Sequence, residues 1–109
     1  MKNNLFSKIP HALPTEISEV LCQAGEFRIE RIVSQGHSSP PGFWYDQGEH
    51  EFVLLVKGRA CLTVEGNSEQ VVLEEGDWLG IKAHVRHRVE WTAPDQDTVW
   101  LAVYYRSNS

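Results

Sequence analysis

Two side chains stand where a charge or a titratable ring is out of place. Glu51 opens the run EFVLLVK, which otherwise reads as a core strand. A carboxylate at the mouth of such a strand is unusual, and misplaced charges concentrate at functional sites. His87 is the second. In RHRVEW a period of two puts His87, Val89 and Trp91 on one face and Arg86, Arg88 and Glu90 on the other. Ahead of Glu51, Pro40-Pro41-Gly42 turns the chain, and Trp44 to His50 is a run of groups able to coordinate or hydrogen-bond. A carboxylate and an imidazole facing one core can act as a proton-transfer pair. There is no Ser/His/Asp arrangement, phosphate-binding loop or CxxC pair.

The elements that must position these groups are short strands. From Glu26 onward the pattern alternates with period two. Glu26–Ser34 is one strand and residues 35–42 are a loop. Phe43–Asp46 is a short strand, Glu51–Lys57 a longer one, and Gly58 interrupts before Arg59–Glu65. Glu65-Gly66-Asn67-Ser68 closes a hairpin onto Glu69–Leu73. Glu74-Glu75-Gly76-Asp77 is a second turn, followed by strands Trp78–Ile81, Arg86–Trp91 and Thr98–Tyr105. Short strands with turns between them indicate a sandwich or barrel. Glu51–Lys57 is apolar on both faces, so a second sheet or a second subunit is expected to cover it. Arg59–Glu65 turns Ala60, Leu62 and Val64 inward and leaves Cys61 on the outer face with Arg59 and Thr63.

One helix is expected. Thr15 caps Thr15–Ala24, and Glu16 and Glu19 suit its first turns. Ile17, Val20, Leu21 and Ala24 fall on one face, and Gly25 ends it. Residues 1–14 read as an irregular arm. The expected organisation is therefore an arm and short helix over 1–25, then one β domain over 26–109.

Composition excludes several classes. The chain has 109 residues, a net charge of -5 and ordinary hydrophobic content, so one acidic globular domain is expected and nucleic acid is not an expected partner. No run approaches the ~20 apolar residues of a membrane span. Cys22 and Cys61 are too few for a disulfide framework, which points to a reducing, cytoplasmic setting.

The strand order and two spacings resemble the cupin family. Its first motif, G-x5-H-x-H-x(3,4)-E-x6-G, is matched by Glu51 and Gly58. Its second, G-x5-P-x-G-x2-H-x3-N, is matched by Gly76 and His87. The resemblance covers Glu26 to Tyr105. It implies an all-β cupin barrel of jelly-roll (double-stranded β-helix) type, and a metal held inside by two His and the Glu of the first motif and the His of the second.

This chain departs from that pattern. With a four-residue spacer, Trp44 and Asp46 take the two His positions; with three, Tyr45 and Gln47 do. Lys82, His84 and Trp91 replace the Pro, Gly and Asn of the second motif. The ligand set carried over is Glu51 and His87, with Asp46 as a substitute. Such a set suits Mn, Fe or Zn with open positions for water or substrate. The bland reading is a buried Glu51–His87 hydrogen-bonded pair with Asp46 at the rim and no metal. Trp44, in the first His position, would turn an apolar wall into the barrel; Tyr45 and Gln47 would offer hydrogen bonds, and His84 could reach the pocket mouth. Trp91 counts as pocket lining because it shares the His87 face. His50, next to Glu51, faces the other way.

Three functions follow as expectations. The first is a metal-dependent enzyme on a small organic molecule, with Glu51 and His87 catalytic. The others are a non-catalytic small-molecule binder and a metal-free acid/base enzyme. No organic cofactor is expected, and a homodimer is.

Overall fold

The structure, a computed structural model, describes residues 2–106; Met1 and residues 107–109, the ends of the expected arm and β domain, lie outside it. Among the described residues eight strands form two antiparallel sheets: β1 (Ile17–Ala24), β2 (Phe27–Ser34), β3 (His50–Lys57), β4 (Ala60–Val64), β5 (Val71–Leu73), β6 (Trp78–Ile81), β7 (His87–Thr92) and β8 (Thr98–Tyr105). The larger sheet has the order β1-β2-β8-β3-β6, and the smaller β5-β4-β7. The core fills the space between them, with Val53, Leu55, Ala60, Leu62, Leu73, Trp100, Ala102 and Tyr104 buried. These are the residues that alternation sends inward. The expected short strand Phe43–Asp46 shrinks to one bridge, Tyr45 to His87.

The expected N-terminal helix is corrected: Ile17–Ala24 is the edge strand β1, and no helix occurs among the described residues. Ile17 pairs with Val33 and the ladder runs to Ala24 opposite Phe27. A ten-residue helix is marginal alone. The open edge of β2 offers this segment a full backbone ladder instead. Gly25, expected to end a helix, takes φ +53 in the turn of the β1–β2 hairpin.

Both motif turns have a structural reason. Gly58 has φ +97, and a Cβ there would lie 2.4 Å from Thr98 Oγ1 and 2.7 Å from Thr98 Cα. Only glycine lets β3 bend away from β8 into β4 at this point. The Gly76-Asp77 turn docks on β3 through Gly76 N to Leu55 O, 2.8 Å, and Leu55 N to Asp77 O, 2.9 Å. These contacts bring β6 beside β3, where Ile81 pairs with Glu51.

A bulge in β7 changes which residues face the core. Leu62 pairs with Val89, but Cys61 pairs with Trp91, so Glu90 is the extra residue. One extra residue reverses the alternation beyond it. His87 and Val89 therefore face inward as expected. Trp91, expected inward, points out, is 37% exposed and lies beneath the Arg59 guanidinium. Cys61, expected on the surface, is buried; its thiol lies 3.6 Å from Gln70 Oε1 and is pushed up in pKa by burial.

Candidate functional site

A cavity of about 260 Å3 lies between the sheets. Ile32, Val53, Leu62, Val89 and Trp100 form its apolar wall, and Glu16, Ser18, Tyr45, Gln47, Glu51 and His87 supply its polar groups, with Tyr104 beside them. Strand phase places those that lie in strands, while Glu16, Tyr45 and Gln47 come from the adjoining segments. Glu51, Val53, Trp100 and Tyr104 are on the inward faces of β3 and β8, where Glu51 pairs with Tyr104 and Leu55 with Trp100. His87 starts β7 and faces them across the core.

Glu51 and His87 are 6% and 5% exposed. His87 Nε2 stands 3.3 Å from Glu51 Oε1, and His87 Nδ1 stands 3.1 Å from the Val85 carbonyl oxygen. Both ring nitrogens thus face acceptors, which favours the doubly protonated imidazolium. Burial pushes the His87 pKa down. The Glu51 hydrogen bond, the Val85 carbonyl and the Glu51 charge together outweigh it, so the ring titrates above its ordinary value. Gln47 Nε2 donates to the same Glu51 oxygen at 3.0 Å. The Tyr45 ring stacks on His87 at 5.3 Å and 21°. Tyr45 is fixed by reciprocal backbone bonds with His87, of 2.7 and 3.1 Å. Burial raises the Tyr104 and Tyr45 hydroxyls, with the Glu51 charge adding to both, so each stays protonated and able to donate.

The opposite rim was not legible as part of the site. Trp100 Nε1 donates to Ser34 Oγ at 3.2 Å, and Ser34 Oγ donates in turn to Glu16 Oε2. Ser18 Oγ donates to Glu30 Oε1 at 2.7 Å. Glu16 and Ser18 look like helix N-terminal residues when the segment is read as a helix. Reading it as a strand beside Glu26–Ser34 would have set Ser18 facing the core.

The other candidates from the motif stretches sit elsewhere. Asp46 turns away from Glu51 and shares a hydrogen bond with His84 Nδ1 at 2.8 Å, at an exposed rim position. His84 holds φ +64 at the position of the family glycine, and its backbone N donates to Gln47 O at 2.8 Å. The two therefore tie the 46–47 segment to the 83–84 turn outside the cavity. Trp44 does not line the cavity either. It packs outward under Arg86, 4.9 Å from the ring centroid, with Arg88 at 6.0 Å. His50 faces away from Glu51, accepts from Ala83 N at 3.0 Å and lies against Tyr105.

The fit to a metal ion can be judged from these donors. No group of three or more His, Cys, Asp or Glu side chains able to hold an ion occurs among the described residues. Asp46, Glu51 and His87 do not converge, because Asp46 is engaged with His84. What remains is one carboxylate and one imidazole, bonded to each other, with an amide on the shared oxygen. Transition-metal sites ordinarily require three protein ligands or more. The donor set does not fit the metal that the resemblance implies.

Comparison with known proteins places this geometry. The chain is similar to a provisionally named mannose-6-phosphate isomerase from Ralstonia eutropha, at 45% identity, with 98% of this chain and 99% of that one covered and a TM-score of 0.94. A cupin superfamily protein from Desulfitobacterium hafniense matches at 18% identity, covering 91% and 84% of the two chains, with a TM-score of 0.72. A Streptococcus pyogenes protein of unknown function matches at 16% identity, covering 100% and 90%, with a TM-score of 0.75. These last two show the fold alone. No curated protein matches the chain. The cupin-domain family model matches residues 29–104. With that match spanning both motif frames, the Gly58 and Gly76 turns and the inward His87, the chain belongs to the cupin family.

Proposed function

We propose that this protein binds a small hydroxylated carbonyl compound in the cavity between its sheets and moves a proton on it with Glu51 and His87. The observation that carries this reading is the acid/base pair itself, buried against an otherwise largely apolar wall. Glu51, as carboxylate, takes the proton from the carbon beside the carbonyl. The His87 imidazolium gives its Nε2 proton to the carbonyl oxygen, forming an enediol. Return of a proton to the neighbouring carbon and loss of one from the adjacent hydroxyl complete an aldose–ketose interconversion with no net proton change. Bond geometry supports these roles: the His87–Glu51 contact is 3.3 Å, long enough for Nε2 to re-aim at a ligand, and Glu51 Oε2 takes neither the His87 nor the Gln47 bond. The similarity to the Ralstonia eutropha protein supports the same chemistry, since sugar isomerisation is a proton transfer of this kind.

The test is solvent exchange. Mannose, fructose and their 6-phosphates are incubated with the protein in D2O, and deuterium incorporation at the carbons flanking the carbonyl is followed by NMR. Incorporation abolished by Glu51→Gln and by His87→Gln, and unchanged after chelation, is the expected result. Activity that disappears on chelation and returns with Mn, Fe or Zn would restore the metal-dependent reading. Binding without exchange would leave a non-catalytic binder, a reading favoured by the preponderance of aliphatic and aromatic side chains in the wall.

The outward face of the larger sheet carries Phe27, Phe52, Trp78 and Tyr105, and Phe52 and Trp78 meet at 5.2 Å. A second copy seated on this face would bury a patch that a monomer rarely exposes. Free Cys22 and Cys61 suit a reducing, cytoplasmic setting. No helix is long and apolar enough to cross a membrane among the described residues.

A further inference from the structure

Carboxylates line the cavity and no permanent cation does. Glu16 and Glu51 are both part of the lining, and no Lys or Arg belongs to it among the described residues. Glu51 has His87 as its partner, Nε2 standing 3.3 Å from Oε1. Glu16 has a hydroxyl partner, Ser34, and no cation is bonded to it among the described residues. The Arg28 guanidinium lies over the Tyr104 ring at 4.3 Å but is committed to Glu49 at 2.7 Å and Glu30 at 2.6 Å. The Glu16 carboxylate therefore lines the cavity without a charge partner among the described residues.

We infer that this cavity accepts an uncharged, hydroxyl-rich small molecule and rejects its phosphate ester, with Glu16 enforcing the rejection. The inference rests on the reading of the cavity as the ligand site. A phosphomonoester brings a charge of about -1.5 to -2 at pH 7 and needs Arg, Lys or a nest of backbone N–H groups to hold it. Here it would meet the Glu16 carboxylate instead, and like charges in a partly buried site repel strongly. Volume argues the same way. About 260 Å3 is below the roughly 300–1,000 Å3 of common ligand pockets, which favours the smaller compound. The Trp100–Ser34 relay holds Glu16 at the cavity by a hydrogen bond that its carboxylate would have to give up to move away. Hydroxyls of an uncharged ligand, by contrast, can donate to Glu16 and Glu51, while its C–H faces lie on Trp100.

Isothermal titration with mannose and with mannose 6-phosphate tests this, on wild type, Glu16→Gln and Glu16→Lys. Glutamine keeps an acceptor for Ser34, and melting temperature and circular dichroism confirm that each variant is folded. The expected result is at least about 100-fold weaker binding of the phosphate ester to wild type. Glu16→Gln narrows that gap about tenfold or more, and Glu16→Lys reverses the preference. Equal or tighter binding of the phosphate ester to wild type overturns the inference, as does failure of mannose to bind at millimolar concentration. A preference untouched by either substitution removes Glu16 from the role. The exchange experiment is separate: mannose binding without deuterium incorporation sinks the proposed proton transfer and leaves this selectivity standing.

Discussion

The buried Glu51–His87 pair makes a prediction that a double-mutant cycle can decide. Both side chains are under a tenth exposed, and no other charged group is bonded to either among the described residues. Removing one member leaves the other charge buried and unpaired, which costs about 3–5 kcal/mol in a closed interior. Because the cavity opens beside the pair, the lower end, about 3 kcal/mol, is the working figure for His87→Leu. Glu51→Leu should cost a similar amount. Replacing both restores an apolar interior of similar shape, so the double variant should return to within about 1 kcal/mol of wild type, or exceed it. The coupling between the sites is then on the order of 5 kcal/mol or more, well beyond the ~0.5–3 kcal/mol of ordinary contacts. Urea unfolding at pH 6 measures all four proteins, with equal m-values required for the comparison. A single substitution costing under about 1 kcal/mol, or a double variant whose loss is the sum of the two singles, would refute the reasoning. The same double variant should show no solvent exchange on any sugar, separating a stable fold from a working site.

Other outcomes follow from particular contacts. His87 has its pKa raised in the folded state, so its share of stability is fully present below the unfolded value near 6.5 and is lost as pH rises through the folded value. Wild type should therefore lose stability relative to the double variant, Glu51→Leu with His87→Leu, as pH rises above about 6.5, and a difference that moves the other way would reverse the sign of the argument. Gly58→Ala puts a Cβ 2.7 Å from the Thr98 backbone at positive φ, a strain of about 3 kcal/mol or more; a variant melting within a degree or two of wild type would remove the steric account. Wild type should sediment at twice the chain mass, and Phe52→Glu with Trp78→Glu should sediment as a monomer of unchanged circular dichroism. A monomeric wild type leaves the outward face without a second copy.

What the sequence determined was local. Period-two alternation, the Glu51–Gly58 and Gly76–His87 spacings and the turn residues are enough for an all-β cupin barrel, because each depends on a few neighbouring residues. That same alternation placed His87 inward and the Glu51–Gly58 spacing marked Glu51 as its partner, and they meet at 3.3 Å. The rest depended on partners far away in the chain. Residues 17–24 satisfy a helical face and a strand equally, and the free edge of β2 decided between them. The bulge at Glu90 carries no signal in RHRVEW, yet it sends Trp91 out while β4 keeps its phase. Asp46 had acceptable ligand chemistry, but the His84 turn, 38 residues later, claimed its carboxylate. Glu16 entered the cavity only because β1 joins the sheet. Side-chain identity sets what chemistry is available; long-range strand pairing sets which of those side chains share one cavity.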